Sequence, residues 1–110
     1  MALSRKEVGI KQLNVEFIVV SCSSAGTVDE GKSHVTGSKG GTGTYTLTLT
    51  EAARRNIRIV GYAPETANLQ LQKSTTTTSA VTVVFTNNAG TATDTNFDIT
   101  LCVFRWPEQF

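Results

Sequence analysis

Thr44-Tyr45-Thr46-Leu47-Thr48-Leu49-Thr50 alternates polar and apolar residues without a break. Successive side chains on a strand point to opposite faces, so this period of two is a strand signal. It sends Tyr45, Leu47 and Leu49 toward a core. The four threonines then face water or a neighbour. Threonine also suits a pleated surface better than a helix, because its branched Cβ restricts χ1. The stretch predicts a β-rich fold and by itself no chemistry.

Working outward, residues 13–21 are strand-like, alternating at first and then apolar on both faces, as expected of a strand buried on both sides. Residues 23–43 are dominated by Ser, Gly, Lys and acidic side chains. They read as one long loop, with at most a short strand at 34–36. Residues 51–56 hold helix formers but are too few for more than a turn, which Asn56 would end in a left-handed conformation. Strands follow at 57–62, 68–73, 80–86 and 96–104, with 74–79 and 92–96 as polar connections and Asn87-Asn88-Ala89-Gly90 as a turn. Val81, Val83 and Phe85 share one face; Phe97, Ile99, Leu101 and Val103 share another. No repeat of fixed period is visible. The expectation is a single all-β antiparallel sandwich, or a jelly-roll-like domain, of about six to eight short strands over residues 13–104. An extended arm (1–12) precedes it and a tail (105–110) follows.

The 110 residues suit one domain with a modest core. The apolar fraction of 39% is low, but 18 threonines can line a sheet, which favours order over disorder. A net charge of +1 gives no reason to expect nucleic acid or an anionic membrane as partner. No apolar run is long enough to span a bilayer. The opening Met1-Ala2-Leu3-Ser4-Arg5-Lys6-Glu7 does not look like a secretory signal, since the first apolar run begins near Val15 and contains Glu16. Cys22 and Cys102 lack metal-ligand spacing, and His34 is the one histidine. A bridge would need the first and last strands to be neighbours. Cys102 has the parity opposite the apolar face of its strand, which favours two reduced thiols.

Gly26-Thr27-Val28-Asp29-Glu30-Gly31-Lys32-Ser33 fits the spacing of a phosphate-binding loop. That motif works by aiming backbone N–H groups at phosphate from a helix N-terminus. Here a glycine-rich stretch follows that cannot sustain a helix, and Asp29 and Glu30 would repel the anion, so a flexible loop is expected. His34 stands in a polar loop without a nucleophile beside it. Asp94 and Asp98 supply too few oxygens for calcium. Arg54, Arg55 and Arg58 are not interleaved with stacking aromatics. No acid, base, nucleophile or metal set clusters, so neither an enzyme nor a cofactor is expected. The tail differs. Phe104 has outward parity, and with Trp106 and Phe110, beside Arg105, it makes an apolar patch that suits either an interface or a tail folded back over the open end of the sandwich.

Gly41-Thr42-Gly43-Thr44-Tyr45-Thr46-Leu47-Thr48-Leu49 and Asp94-Thr95-Asn96-Phe97-Asp98-Ile99-Thr100-Leu101 together resemble the small β-sandwich modules of virion proteins of tailed bacteriophages: fibre tips, head fibres and capsid decoration proteins. In those modules a Gly-x-Tyr strand starts the sheet and an Asp-x-x-Phe strand with alternating apolar residues closes it. The similarity covers residues 37–104. It implies a non-enzymatic structural protein located in the virion, assembled in the host cytoplasm as a homo-oligomer, with a trimer as the implied order. Its partner would be the major capsid protein or another virion protein. Tyr45 and Phe97 would be core anchors. The interface would draw on Phe104, Arg105, Trp106 and Phe110, and part of the threonine face at Thr46 and Thr48 would lie against a neighbouring subunit. The alternative is a carbohydrate-binding β-sandwich, a lectin-like receptor-binding module, using Trp106 and Tyr62 against a glycan.

Overall fold

The computed structural model describes residues 14–105, all strand, turn and bend with no helix among them. Eight strands form: β1 (Asn14–Cys22), β2 (Val28–Glu30), β3 (Val35–Lys39), β4 (Thr44–Leu49), β5 (Arg58–Pro64), β6 (Gln70–Thr76), β7 (Ala80–Thr86) and β8 (Phe97–Arg105). They make two four-stranded antiparallel sheets, ordered β2-β1-β8-β5 and β3-β4-β7-β6. Three hairpins (β1–β2, β3–β4, β6–β7) lie within a sheet, and the other connections cross between sheets. The result is a β-sandwich, as the strand pattern predicts. The arm 1–12, Trp106 and Phe110 lie outside the described residues.

The core is the alternation made physical. Tyr45, Leu47 and Leu49 of β4 are buried with Val81, Val83 and Phe85 of β7 on one inner face. Phe97, Ile99, Leu101 and Val103 of β8, with Ile18 and Val20 of β1, supply the other. Tyr45, Phe85 and Phe97 meet in the middle, with ring centroids 5.0 Å apart for Tyr45–Phe97 and 4.8 Å for Phe85–Phe97. These tilted contacts let the rings bury area and satisfy their quadrupoles together.

Several local expectations are corrected. Residues 23–43 are not one loop, because β2 and β3 form within them. Its glycines serve close approach rather than flexibility. A Cβ on Gly37 would lie 2.5 Å from the Gly26 carbonyl oxygen, so the β3 backbone can pass the 23–27 turn only as glycine. Residues 74–76 belong to β6, where Thr75 and Thr76 pair with Thr82 and Val81. Asn68, at φ 63°, takes the left-handed conformation expected of Asn56. The domain reaches Arg105, one residue beyond the expected boundary. Finally, β1 is buried on one face only. Ile18, Val20 and Cys22 are inside, while Val15, Phe17 and Val19 are 49%, 64% and 55% exposed.

Candidate functional site

That last correction locates the most distinctive surface of the molecule, the outer face of the β2-β1-β8-β5 sheet. Directly opposed residues of antiparallel strands share a face. The register opposes Val15 to Phe104, Phe17 to Cys102, Val19 to Thr100 and Ser21 to Asp98. On the other side of β8, Arg58 opposes Cys102 and Gly61 opposes Thr100, with an irregularity that leaves Val60 58% exposed. An apolar stripe therefore runs along β1 and β8. Five large apolar side chains of the described residues are exposed, and three of them stand in alternate positions on β1. Scattered exposed apolar residues are ordinary on a protein surface, whereas a continuous row marks contact with something.

The stripe ends in charge. At one end Ser21 Oγ lies 2.7 Å from Asp98 Oδ1 and 3.3 Å from Glu30 Oε1. A hydroxyl has one proton, which serves the shorter contact. An open cleft of about 470 Å³ adjoins this end, lined by Ser21, Ser23, Asp29, Glu65, Asn96 and Asp98 among others. Asn96 staples its walls. Its Oδ1 accepts from the Ser24 N–H at 2.7 Å, and its Nδ2 donates to Glu65 Oε1 at 2.7 Å. Cys22 lies on the cleft's floor, where burial and then the charge of Asp29 push its thiol up to about 11.

The other candidate residues fall in different places. Phe104 is half-buried on the outer face, as its parity predicts. Arg105 is turned to intramolecular work. Its Nε donates to Glu16 Oε1 at 2.9 Å, and Nη1 donates to the carbonyls of Glu51 and Ala52 at 3.0 Å each, tying the 51–52 turn to the end of the sandwich. Thr46 and Thr48 lie on the outer face of the opposite sheet. Thr48 is exposed; Thr46 is half-buried and shares a 3.1 Å hydrogen bond with Thr82. Cys22 and Cys102 are both free thiols. Cys22 opposes Phe97 and Cys102 opposes Phe17, so they stand on opposite faces and five pairs apart although their strands are neighbours.

The segment 26–33 does not cradle anything. Its centre is strand β2, and the N–H groups of His34 and Val35 both donate to the Gly31 carbonyl in a closed turn. His34 is exposed, and its backbone carbonyl accepts from Thr50. Asp94 and Asp98 do not converge. Asp94 accepts from the Gly43 N–H at 2.7 Å and pairs with Lys39 at 3.1 Å, while Asp98 belongs to the outer-face row. Those contacts, the Gly43 N–H first and Lys39 next, lower the Asp94 carboxyl below its ordinary value. Among the described residues no group of three or more His, Cys, Asp or Glu could hold a metal ion.

Sequence reasoning missed the stripe because it took two-sided apolarity in β1 to mean two-sided burial. The signal was present: Val15, Phe17 and Val19 share the parity of Phe104 once β1 and β8 are paired. No known family model, curated protein or solved structure matches this chain.

Proposed function

We propose that this protein is a non-enzymatic structural subunit of a tailed-bacteriophage virion, a capsid decoration protein or a small fibre component, acting through contacts with copies of itself and with the capsid. The observation that carries this proposal is the apolar stripe of Val15, Phe17, Val19 and Phe104 on the outside of a well-packed sandwich. A rigid sheet offering such a row is suited to adhesion. The resemblance of the β4 and β8 segments to virion modules supplies the setting. The Thr46–Thr48 face, with Trp106 and Phe110, is a further candidate contact, whereas the Arg105 guanidinium is engaged within the molecule. The resemblance implies a trimer. Mass spectrometry of particles purified from the host lysate tests the proposal. The protein is expected at stoichiometric copy number, and its absence from washed particles would overturn the assignment.

One observation favours the lectin-like alternative. The cleft beside Ser21 and Asp98 presents hydroxyl, amide and carboxylate groups of the kind that bond a sugar's hydroxyls. Tyr62 is 44% exposed, but its ring lies 6.1 Å from Phe85 and leans into the core edge. A glycan array with the intact protein and a Trp106→Ala control decides: binding of the same glycan by the intact protein alone supports the alternative, and an empty array discards it.

A further inference from the structure

Three charges on the outer face of the β2-β1-β8-β5 sheet have no ion-pair partner among the described residues: Arg58, Glu30 and Asp98. Glu30, Ser21 and Asp98 stand in one row across β2, β1 and β8, and Arg58 stands level with Cys102 and Phe17. From the Asn14 end the face therefore presents Val15 with Phe104, then Phe17 near Arg58, then Val19, then the two carboxylates. Residues 1–13, outside the described residues, lead into β1 at that Asn14 end. We infer that this segment is the occupant of the stripe in the free subunit, folded back over β1 of its own chain as an extended cap.

Length, periodicity and charge all point to this segment. Stacked β layers stand about 10 Å apart. The four steps from Asn14 back to Ile10 span up to about 13 Å, enough to rise one layer and leave Ile10 over Val15 and Phe104. An extended chain running on from there turns every second residue to the sheet, which sets Val8 over Phe17 and Lys6 over Val19. Lys6 lays its methylene stem on Val19 and carries its ammonium toward Asp98 and Glu30. Glu7, the one acid of the segment, comes within a residue of the level of Arg58. Each apolar level thus meets an apolar group, and each unpaired charge meets its opposite, in the order the sequence dictates. The tail 106–110 leaves β8 at the same end but fits less well. Its five residues span about 17 Å, of which the rise takes more than half, and they hold no base to meet the carboxylates. The inference deepens the proposed function and rests on it only for what displaces the cap: the row offered to the virion is covered until the subunit docks.

The test is NMR of the full-length free protein with labelled methyl groups. Nuclear Overhauser contacts are expected from Ile10 to Val15 and from Val8 to the Phe17 ring. A sample mixing differently labelled chains decides whose arm is seen, and contacts within one chain are expected. No contacts, or contacts between chains alone, would overturn the inference. Limited trypsin digestion after Lys11 reads the same docking. Phe17→Asp, which leaves the circular dichroism spectrum unchanged because Phe17 is exposed, is expected to speed that cut at least about tenfold, since cleavage follows the undocked population. Lys6→Glu is also expected to speed it, and adding Asp98→Lys to Lys6→Glu is expected to slow it again. A cut indifferent to Phe17→Asp, or a double variant cut as fast as Lys6→Glu alone, would equally defeat the inference. All these readouts use the free protein, so an undocked arm on a protein present in virions would remove the cap and leave the proposed function standing, and a docked arm on a protein absent from virions would do the reverse.

Discussion

Replacing Tyr45 by Phe removes one oxygen from the centre of the sandwich, and the structure states what that oxygen does. The hydroxyl accepts the backbone N–H of Thr95 at 3.1 Å and donates to the Ser24 carbonyl at 3.1 Å, with Asp94 Oδ1 at a looser 3.5 Å. It therefore joins three segments: the end of β1, the start of β4 and the approach to β8. The ring itself is fully buried and keeps its contacts with Phe97 and Phe85 in the variant, so no cavity opens. What is lost is hydrogen bonding. Thr95 is 2% exposed, and its N–H would have no water to turn to. An orphaned buried donor costs about 1–3 kcal/mol, and the donated bond adds about 0.5–1. A net loss of about 2–3 kcal/mol is expected, or roughly 10 °C in Tm for a domain of this size.

Chemical denaturation followed by intrinsic fluorescence measures this directly, with the slope m expected to stay constant because the surface exposed on unfolding does not change. Tyr62→Phe is the control, since its ring is 44% exposed, and a change within about 0.5 kcal/mol is expected there. If Tyr45→Phe unfolds within that same margin, the hydroxyl is not the tie described, and the loops it joins must be held by other contacts.

Four further outcomes follow from the same geometry. Asp94→Asn is expected to destabilise the protein at neutral pH. The Gly43 N–H and Lys39 lower the folded carboxyl below its unfolded value, so the unfolded chain takes up the proton first as pH falls. The difference between wild type and variant should then shrink below about pH 4 in thermal melts. A difference that holds constant through the acid range would refute the assignment. With a thiol reagent at pH 8, half-exposed Cys102 should label on mixing while Cys22, buried and pushed up to about 11, labels only on unfolding; equal rates would contradict the placement. Gly43 has φ +69°, and a Cβ there would meet the Phe85 carbonyl oxygen and the Thr93 nitrogen at 2.8 Å each, whereas Gly90 (φ +83°) has open space. Gly43→Ala should therefore cost clearly more than Gly90→Ala, at least about 1 kcal/mol more by denaturant midpoint. Thr48→Arg, on an exposed position of the second sheet, should leave the melting temperature unchanged and lower binding to particles stripped of the protein; unchanged binding would remove that face from the contact surface.

Much of the fold was legible because the two sheets obey simple alternation. β4, β7 and β8 each carry three or four apolar residues at every second position, and those positions are the buried ones. The stretch 23–43 was illegible for a physical reason. β2 and β3 are short edge strands with few apolar residues, and they are held by backbone pairing and by glycines that permit close approach rather than by burial. Thr75 and Thr76 of β6 were hidden for the same reason, since this edge strand fully buries no side chain: Leu71 and Thr76 are half-buried and the rest are exposed. The Tyr45 hydroxyl network was partly written in the sequence: Tyr45 was readable as a core residue, but its partners Ser24 and Thr95 are polar loop residues whose proximity only the topology creates.

The two outer faces of the sandwich are what finally separate structure from function. On the β3-β4-β7-β6 sheet the outward residues bond one another, as Thr46 does with Thr82 and Thr86 with Gln72, so the face is stable against water without a partner. On the β2-β1-β8-β5 sheet, Val15, Phe17 and Val19 have no such option, because an apolar side chain can lower its free energy only by leaving water. Two of the three are valines on a strand whose other face is buried through Ile18, Val20 and Cys22. A change of each to Thr would keep the β-propensity and remove the exposed area. Exposed apolar side chains set in a row on one sheet face are best explained by a requirement outside the monomer, and that is why the stripe rather than the threonine run that first signals the fold is where the function of this chain is to be sought.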